Sequence, residues 1–303
     1  MSSSKVGIVI LNYMTYELTI NCLDNLNNME YNNFFVVVVD NLSPNNSYEK
    51  IFEYISKGKF KYDIYLLKSD KNGGYSYGNN LGVKKAENLK ADYILIMNND
   101  IFIKENNFLN KLVDYLDENK NIAMIGPGII QKKKNLMEIP LYSRRIKSIK
   151  KIVSNILYPF TIFLNKMLRR KIQSCKKPMK VYSVAGCCFI IRTNIFKKIG
   201  YFDENVFLYG EELILGEKLY QKGYEVYFIP SLRVYHNHST TISSIYDYKK
   251  IGEMQLRSHK YYLDEYRKDI SKIVRSMMLY SEYFKEKIYV PLIILIKKVL
   301  KQV

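Results

Sequence analysis

Apolar runs and helical patterns alternate along the first 131 residues of the chain. Short β-branched runs predict strands at Val6–Leu11, Phe34–Val39, Tyr62–Leu67, Tyr93–Met97 and Ala123–Ile130. Helical periodicity between these runs predicts helices at Glu17–Leu26, Tyr48–Ile55, Tyr77–Leu89 and Phe108–Leu116. Short strands that alternate with helices of this length are typical of βαβ units, so we predict an α/β fold with a mostly parallel sheet.

The α/β pattern returns after residue 180. The predicted elements are a strand at Val181–Ile191, a helix near Asn194–Ile199, a helix at Glu211–Gln221, and strands at Glu225–Ile229 and Leu232–His236. Gly223 suits the C-terminal cap of the second helix, since glycine readily adopts the left-handed conformation found there. The chain from about Asp247 is predicted to be helical.

Residues 132–180 interrupt this alternation with a basic helical pattern. They hold 15 Lys/Arg and one acid, and residues 249–303 hold 13 Lys/Arg and six acids, out of a net charge of +18 for the chain. Apolar positions from Ile149 to Leu168 follow a helical period that Pro159 should split or kink. An amphipathic basic segment of this kind favours an anionic membrane surface, although a helical hairpin packed on the body fits the same pattern.

The termini and cysteines favour a cytoplasmic protein held at the inner face of the membrane. The first apolar run, Val6–Leu11, is too short for a signal-peptide core, and no run reaches the roughly 18–20 residues of a spanning helix. The four cysteines form no CxxC pair, so reduced thiols are expected rather than disulfides or a zinc site.

Polar residues follow four of the predicted strands, where parallel sheets bind ligands. They are Asn12-Tyr13, Asp40-Asn41, Ser69–Gly74 and Asn98-Asn99-Asp100. We expect all four groups to converge on one edge of the sheet. Asp100 is a candidate ligand for Mg²⁺ or Mn²⁺, which prefer oxygen. Structural alternatives exist for each group, since Asn and Asp often cap strands and glycines often form tight turns.

Two further candidates lie in the second half of the chain. Glu211 and Glu212 begin a predicted helix, where acids are common for dipole reasons alone, yet a carboxylate over a cleft could act as a general base. His236 ends a predicted strand, and a lone histidine is more often structural than a ligand.

Taken together, these segments resemble the family 2 glycosyltransferases of the GT-A fold, especially the rhamnosyltransferase-like branch. The resemblance covers residues 5–130 and 181–241, and its pieces come in the family's order. They are Val9–Tyr13, Val38–Ser43, Asn72–Gly82, Asn98–Asp100, Ala185-Gly186 with Phe189, Phe202–Glu204, Phe207–Glu212, and His236. The resemblance implies a Rossmann-like sheet whose nucleotide-binding half is 1–131 and whose acceptor half is 181–246. A basic helical insertion at 132–180 separates the halves, and a helical tail follows at 247–303.

The resemblance also implies roles for individual residues. Asp40 and Tyr13 would hold the nucleotide base, Asn98 would approach the ribose, and Asp100 with His236 would hold Mg²⁺ or Mn²⁺ on the diphosphate. Other residues implied in binding the nucleotide sugar are Asn12, Asn41, Asn72, Gly73, Gly74, Asn79 and Asn99. Glu212 is preferred as general base, with Glu211 the alternative. The implied reaction inverts the sugar's configuration on transfer to a glycan or lipid-linked acceptor, in cell-surface polysaccharide or glycan assembly.

The sequence departs from the family pattern at several positions, and other functions stay open. Glu212 stands where Asp is usual, and Ile214 and Lys218 stand where Asp and Arg are usual. A nucleotidyltransferase would need a basic Gly-rich loop after the first strand, which Asn12–Thr15 does not provide. A nucleic-acid-binding protein would not need acids and a histidine at strand ends, so no nucleic acid is expected as partner. Self-association as a homodimer is left open.

Overall fold

The computed structural model describes residues 3–131, 136–138, 144–161, 177–236 and 248–293. Its strands are β1 Val6–Asn12, β2 Phe34–Asp40, β3 Asp63–Lys68, β4 Tyr93–Met97, β5 Ile101–Ile103, β6 Ile122–Gln131, β7 Leu136–Glu138, β8 Met179–Val181, β9 Cys188–Arg192 and β10 Glu225–His236. Its α-helices are α1 Tyr16–Leu26, α2 Ser47–Lys57, α3 Gly74–Asn88, α4 Phe108–Glu118, α5 Ser148–Ile156, α6 Thr193–Lys198, α7 Glu211–Gln221, α8 Tyr248–Tyr261 and α9 Lys272–Phe284. Single π-helical turns follow α8 at Tyr262–Tyr266 and α9 at Lys285–Tyr289.

One sheet runs through the fold in the order β3-β2-β1-β4-β9-β6-β10-β5, with β7 paired to β6 and β8 to β10. The pairs β1–β2, β1–β4, β2–β3 and β6–β10 are parallel, whereas β9 runs antiparallel to both β4 and β6. Six strands therefore point in one direction, and the ends of β1 to β4 meet at one edge. The predicted α/β architecture with a mostly parallel sheet is confirmed.

The second half differs from the predicted elements in two places. The apolar run Val181–Ile191 is not one strand, because residues 182–187 form a loop between β8 and β9. Tyr182 and Val184 in that loop are 5% and 2% exposed, and their burial explains why the loop reads as a strand. The two strands predicted at 225–236 are one strand, β10, whose pairing with β6 shifts register between Ile229 and Arg233.

The predicted helical insertion at 132–180 is only partly helical among the described residues, because it also holds strand β7 and most of strand β8, whereas the described part of the tail is helical. α5 ends at Ile156, and residues 158–161 are again helical, so the interruption lies next to Pro159 as predicted. Gly223 has a φ of +76° directly after α7, which fits the predicted cap. Cys22, Cys187 and Cys188 are free thiols, whereas Cys175 lies outside the described residues.

The helical tail packs on the body through a hydrophobic cluster separate from the two that cover the faces of the sheet. Its members are Ile146, Tyr182, Val206, Leu213, Ile214, Tyr262, Leu263 and Met278. Ile214 is 1% exposed in this cluster, which accounts for an apolar residue where the related pattern has an acid. Within the described residues, no helix has the length and apolar character needed to cross a bilayer.

Candidate functional site

The ends of β1 and β2 are tied together by a buried hydrogen-bond network around Asp40. The Asn12 amide nitrogen Nδ2 and the Ser43 hydroxyl each donate to Asp40 Oδ2 at 2.7 Å, and the Ser43 backbone N–H donates to Oδ1 at 2.9 Å. Asn12 and Asp40 are both 0% exposed. The same hydroxyl accepts from the Met14 N–H at 2.9 Å, so Asp40 fixes the turn that carries the half-buried Tyr13.

Asn99 connects this network to the loop after β4. Its Nδ2 donates to Thr15 Oγ1 at 2.9 Å and to Thr19 Oγ1 at 3.0 Å, and the Thr19 hydroxyl donates to Asn12 Oδ1 at 2.9 Å. Thr15 and Thr19 lie at the start of α1 and were not singled out from the sequence, because a threonine at a helix start is ordinary. The strand ends of β1, β2 and β4 therefore share one hydrogen-bonded framework.

A second framework joins Asn41 to the glycine-rich turn before α3. Asn41 Nδ2 donates to Asn72 Oδ1 at 2.9 Å and to the Gly74 carbonyl at 3.2 Å. Gly74 has a φ of +83°, and a Cβ there would lie 2.1 Å from the Phe207 carbonyl oxygen. Glycine is therefore required at 74, because the segment leading to α7 passes directly over this turn. Gly73 precedes it as the N-cap residue of α3.

The sequence implies two metal-binding side chains, Asp100 and His236, and the structure brings them into contact. Antiparallel pairing of β10 with β5 sets His236 opposite Ile101, and His236 Nε2 lies 3.2 Å from Asp100 Oδ2. Both side chains are 10% exposed. Among the described residues, no group of three or more Asp, Glu, His or Cys side chains is placed to hold a metal ion. His238 lies outside the described residues.

The loop between β8 and β9 lies between Asn98 and the two glutamates of α7. The Asn98 N–H donates to the Cys187 carbonyl at 2.9 Å, and the Tyr75 hydroxyl donates to the Gly186 carbonyl at 2.6 Å. A methyl group added at Gly186 would lie 4.0 Å from both Glu211 Oε1 and Glu212 Cβ. The loop therefore contacts the end of β4 through Cys187 and lies close to the start of α7 at Gly186.

The two glutamates have different surroundings. Gly210, with a φ of +84°, caps α7 and turns both residues toward the site, and Glu212 faces a large cleft. Glu211 is 9% exposed, and its Oε2 has no hydrogen-bond partner among the residues that the structure describes. Burial, and then the charge of Glu212, raise the pKa of the Glu211 carboxyl well above its ordinary value. Burial also raises the pKa of Glu212.

Several implied binding residues are buried and bonded within the protein. Asn12 and Asp40 are 0% exposed, Asn41 is 3% exposed, and Asn79 is 1% exposed with its Nδ2 donating to the Tyr75 carbonyl at 2.9 Å within α3. The next residue, Asn80, instead holds the segment before α7, since it exchanges hydrogen bonds with the backbone of Phe202 and donates to Glu204.

Comparison with known families gives one match over most of the chain. The model described as "Glycosyl transferase family 2" matches residues 7–200. The match ends before Glu211, Glu212 and His236, so these residues depend on the geometry described above.

Similar proteins include several enzymes that act on sugars. The low-salt glycan biosynthesis hexosyltransferase Agl10 of Haloferax volcanii is 25% identical over 210 residues, which is 69% of this chain and 59% of the relative. An N-acetylglucosaminyl-diphospho-decaprenol L-rhamnosyltransferase of Mycobacterium tuberculosis is 37% identical over 59 residues, 19% of each chain. This chain therefore spans less than two thirds of either relative.

Among solved structures, the mannosyltransferase PcManGT of Pyrobaculum calidifontis, in complex with GDP-Man and Mn²⁺, superposes with a TM-score of 0.61. The superposition has 12% sequence identity and covers 93% of this chain and 69% of the other. At this level of identity the likeness concerns the fold.

Proposed function

The chain belongs to glycosyl transferase family 2 and has the GT-A fold; from this premise we propose that it is an inverting, metal-dependent hexosyl- or rhamnosyltransferase. It moves a sugar from a nucleoside diphosphate to a hydroxyl of a glycan or lipid-linked acceptor, in the assembly of cell-surface polysaccharide or glycan. The observation that carries this proposal is the contact between Asp100 and His236 at the end of the sheet. It is supported by the 186–187 loop, which hydrogen-bonds to Asn98 and lies close to Glu211 and Glu212.

The nucleotide lies, in this proposal, over the ends of β1, β2 and β4. Tyr13 offers a half-buried ring on which a base can stack. Asp40 is fully buried and accepts three hydrogen bonds, so it shapes the base pocket by fixing the turns at Tyr13 and Ser43. Asn98, partly exposed at the end of β4, is placed to approach the ribose.

The donor set at Asp100 and His236 fits a divalent cation. Asp100 Oδ2 and His236 Nε2 lie 3.2 Å apart, so the two side chains together would hold one divalent cation. A carboxylate and an imidazole leave further coordination positions for diphosphate oxygens and water, as Mg²⁺ and Mn²⁺ prefer. When bound, such an ion neutralises negative charge on the leaving diphosphate.

Glu212 is the proposed general base. It removes the proton of the acceptor hydroxyl while that oxygen attacks the anomeric carbon on the face opposite the leaving diphosphate. Glu212 faces the cleft through which an acceptor can enter, whereas Glu211 is more deeply buried and does not line that cleft. An acceptor hydroxyl in the cleft therefore meets Glu212 rather than Glu211, which supports Glu212 as the base.

The first test is a screen of nucleotide sugars. Thermal unfolding is followed with UDP-, GDP- and dTDP-sugars, each with and without Mn²⁺, because ligands that bind the folded state raise Tm. One donor class should raise Tm, and more strongly with Mn²⁺. A flat response to all donors, together with salt-dependent RNA binding, would contradict the proposal and favour a nucleic-acid-binding protein.

Attachment to the cytoplasmic face of a membrane is part of the same proposal. Large apolar side chains lie in solvent on α5, on the helical turn at 158–161 and on α9, with Ile149, Phe160 and Ile273 exposed by 75%, 72% and 75%. Basic residues flank α5, a combination that suits an anionic lipid surface. Flotation with phosphatidylglycerol vesicles should show salt-sensitive binding that I149S/F160S weakens and that F52S, at the exposed Phe52 of α2, does not.

A further inference from the structure

A cleft of about 780 Å³ lies between α5, the start of α7 and the helices of the tail. Its size is within the range of small-molecule sites, which is roughly 300–1,000 Å³. Asp100 and His236 are absent from its lining, whereas Glu212 forms part of the wall. The cleft is therefore distinct from the proposed diphosphate site of the donor but reaches the proposed base.

Six Lys or Arg side chains line the cleft against two carboxylates, those of Glu212 and Glu282. The cations are Arg144, Arg145, Lys147, Lys150, Lys151 and Lys285. Arg145 is committed to the fold, because its guanidinium is bonded to the fully buried Glu217 and to Asp269. The remaining five cations outnumber the carboxylates by more than two to one.

The rim of the cleft carries positive charge that the described residues do not balance. The side chains of Arg144, Lys147 and Lys150 form no ion pair or hydrogen bond to the described residues, and all three are exposed to solvent. Deeper in, Lys285 pairs with Glu286 at 2.8 Å, and Lys151 and Lys285 lie 3.4 and 3.8 Å from the same oxygen of Glu282. Burial and the nearby Lys285 lower the pKa of Lys151 to about 8. A multivalent anion would relieve this excess.

We propose that this cleft binds the phosphate or diphosphate group of the acceptor, which places the acceptor's hydroxyl against Glu212. The inference rests on the proposed glycosyl transfer and names the class of its acceptor: a saccharide that carries phosphate. Several lysines and an arginine around one cavity suit the many oxygens of a phosphate group. Exposed apolar side chains lie on α5, which supplies Lys150 and Lys151, and on the helical turn that follows it, with Ile149 in the first and Phe160 in the second; they would receive a lipid attached to that phosphate.

The test measures anion binding by calorimetry in EDTA, so that no metal can draw the probe to the donor site. The probes are inorganic pyrophosphate and farnesyl diphosphate. The variant R144Q/K147Q/K150Q should bind both at least tenfold more weakly than the native protein. The control K57Q/K120Q/K222Q removes the same charge from exposed positions elsewhere and should bind as the native protein does.

The two probes separate the two sources of phosphate. If farnesyl diphosphate binds more tightly than pyrophosphate, and I149S/F160S removes that difference, the acceptor is lipid-linked; equal affinities indicate a soluble phosphorylated acceptor. Failure of the native protein to bind either probe, or equal weakening in the control, would overturn the inference. The nucleotide-sugar screen on the same variants is the independent readout, since the cleft variant should retain the Mn²⁺-dependent rise in Tm.

Discussion

Two regions hold their polar groups in opposite ways. One is the donor edge, the strand ends that carry Asn12, Asp40 and Asn98–Asp100; the other is the basic cleft, lined by the cations of residues 144–151 and by Lys285. At the donor edge, Asn12, Asp40 and Asn99 hydrogen-bond to one another. In the cleft, the side chains of Arg144, Lys147 and Lys150 lack partners among the described residues, whereas Lys151 pairs with Glu282 and Lys285 with both Glu282 and Glu286. A satisfied network rigidifies a surface of defined shape, whereas excess charge attracts a charged ligand. We infer that the donor is recognised by shape and the acceptor by charge, with Glu212 between them.

The largest expected effect comes from Glu212→Gln. Loss of the general base should lower kcat for sugar transfer, or for hydrolysis of the donor, by about 10²–10⁴-fold. Calorimetry with the nucleotide sugar and Mn²⁺ should give an unchanged Kd. Glu211→Gln is the matched control and should cost far less, since Glu211 is buried and does not line the cleft. Retention of more than a tenth of the native rate by Glu212→Gln would reject its role.

A cavity made in the hydrophobic cluster under the tail should lower the stability of the protein and, as a consequence, its activity. Met278 is fully buried, so Met278→Ala should lower the free energy of unfolding by about 2–5 kcal/mol. Ser258 in α8 donates to the Leu208 carbonyl just before the two glutamates, so activity should fall as the tail loosens. Met277→Ala, at a neighbour that is 51% exposed, should change stability by less than about 0.5 kcal/mol in urea unfolding.

Removal of the proposed metal ligand should affect the donor edge alone. Loss of a group that only orients a metal ligand typically costs about 10–100-fold in metal affinity. Loss of the proposed ligand itself, in Asp100→Asn, should therefore weaken Mn²⁺-dependent donor binding at least tenfold. Pyrophosphate binding in EDTA should not change, because Asp100 does not line the cleft. Asp63→Asn, at an exposed position on β3, is the control. Equal loss of pyrophosphate binding would show that the two sites are not separate.

The smallest effect concerns pH. Glu212 must be ionised to accept a proton, and burial raises the pKa of its carboxyl. The value of kcat/KM should therefore fall as pH decreases through an apparent pKa above the ordinary value for glutamic acid. A pH profile of donor hydrolysis measures this limb. An acid limb at or below the ordinary pKa of glutamic acid would show that the base is not the buried Glu212.

The sequence predicts the donor edge better than the cleft for a physical reason. Strand ends in βαβ units follow from local periodicity, so the convergence of Asn12, Asp40 and Asn98–Asp100 could be foreseen from the chain alone. The loop at residues 182–187 could not, because its buried Tyr182 and Val184 are as apolar as a strand. The three-residue strands β5 and β7 carry too few residues to form a pattern.

The cleft depends on contacts between distant parts of the chain. Arg145 reads as one more member of a basic segment, yet it pairs with Glu217, 72 positions away. Lys151 and Glu282 are 131 positions apart. The amphipathic pattern predicts a helix at α5 and a basic surface, but only the packing of α5 on α9 shows that the positive charge encloses a cavity beside Glu212.

The stereochemistry of transfer tests the central claim most directly. A single displacement assisted by Glu212 must invert the anomeric carbon, because the attacking oxygen enters opposite the leaving diphosphate. Proton NMR, recorded on the sugar as it is first released from a donor of known configuration, reads this outcome before the anomers equilibrate. We predict the anomer opposite to that of the donor; release of the same anomer would contradict a one-step transfer with Glu212 as its base.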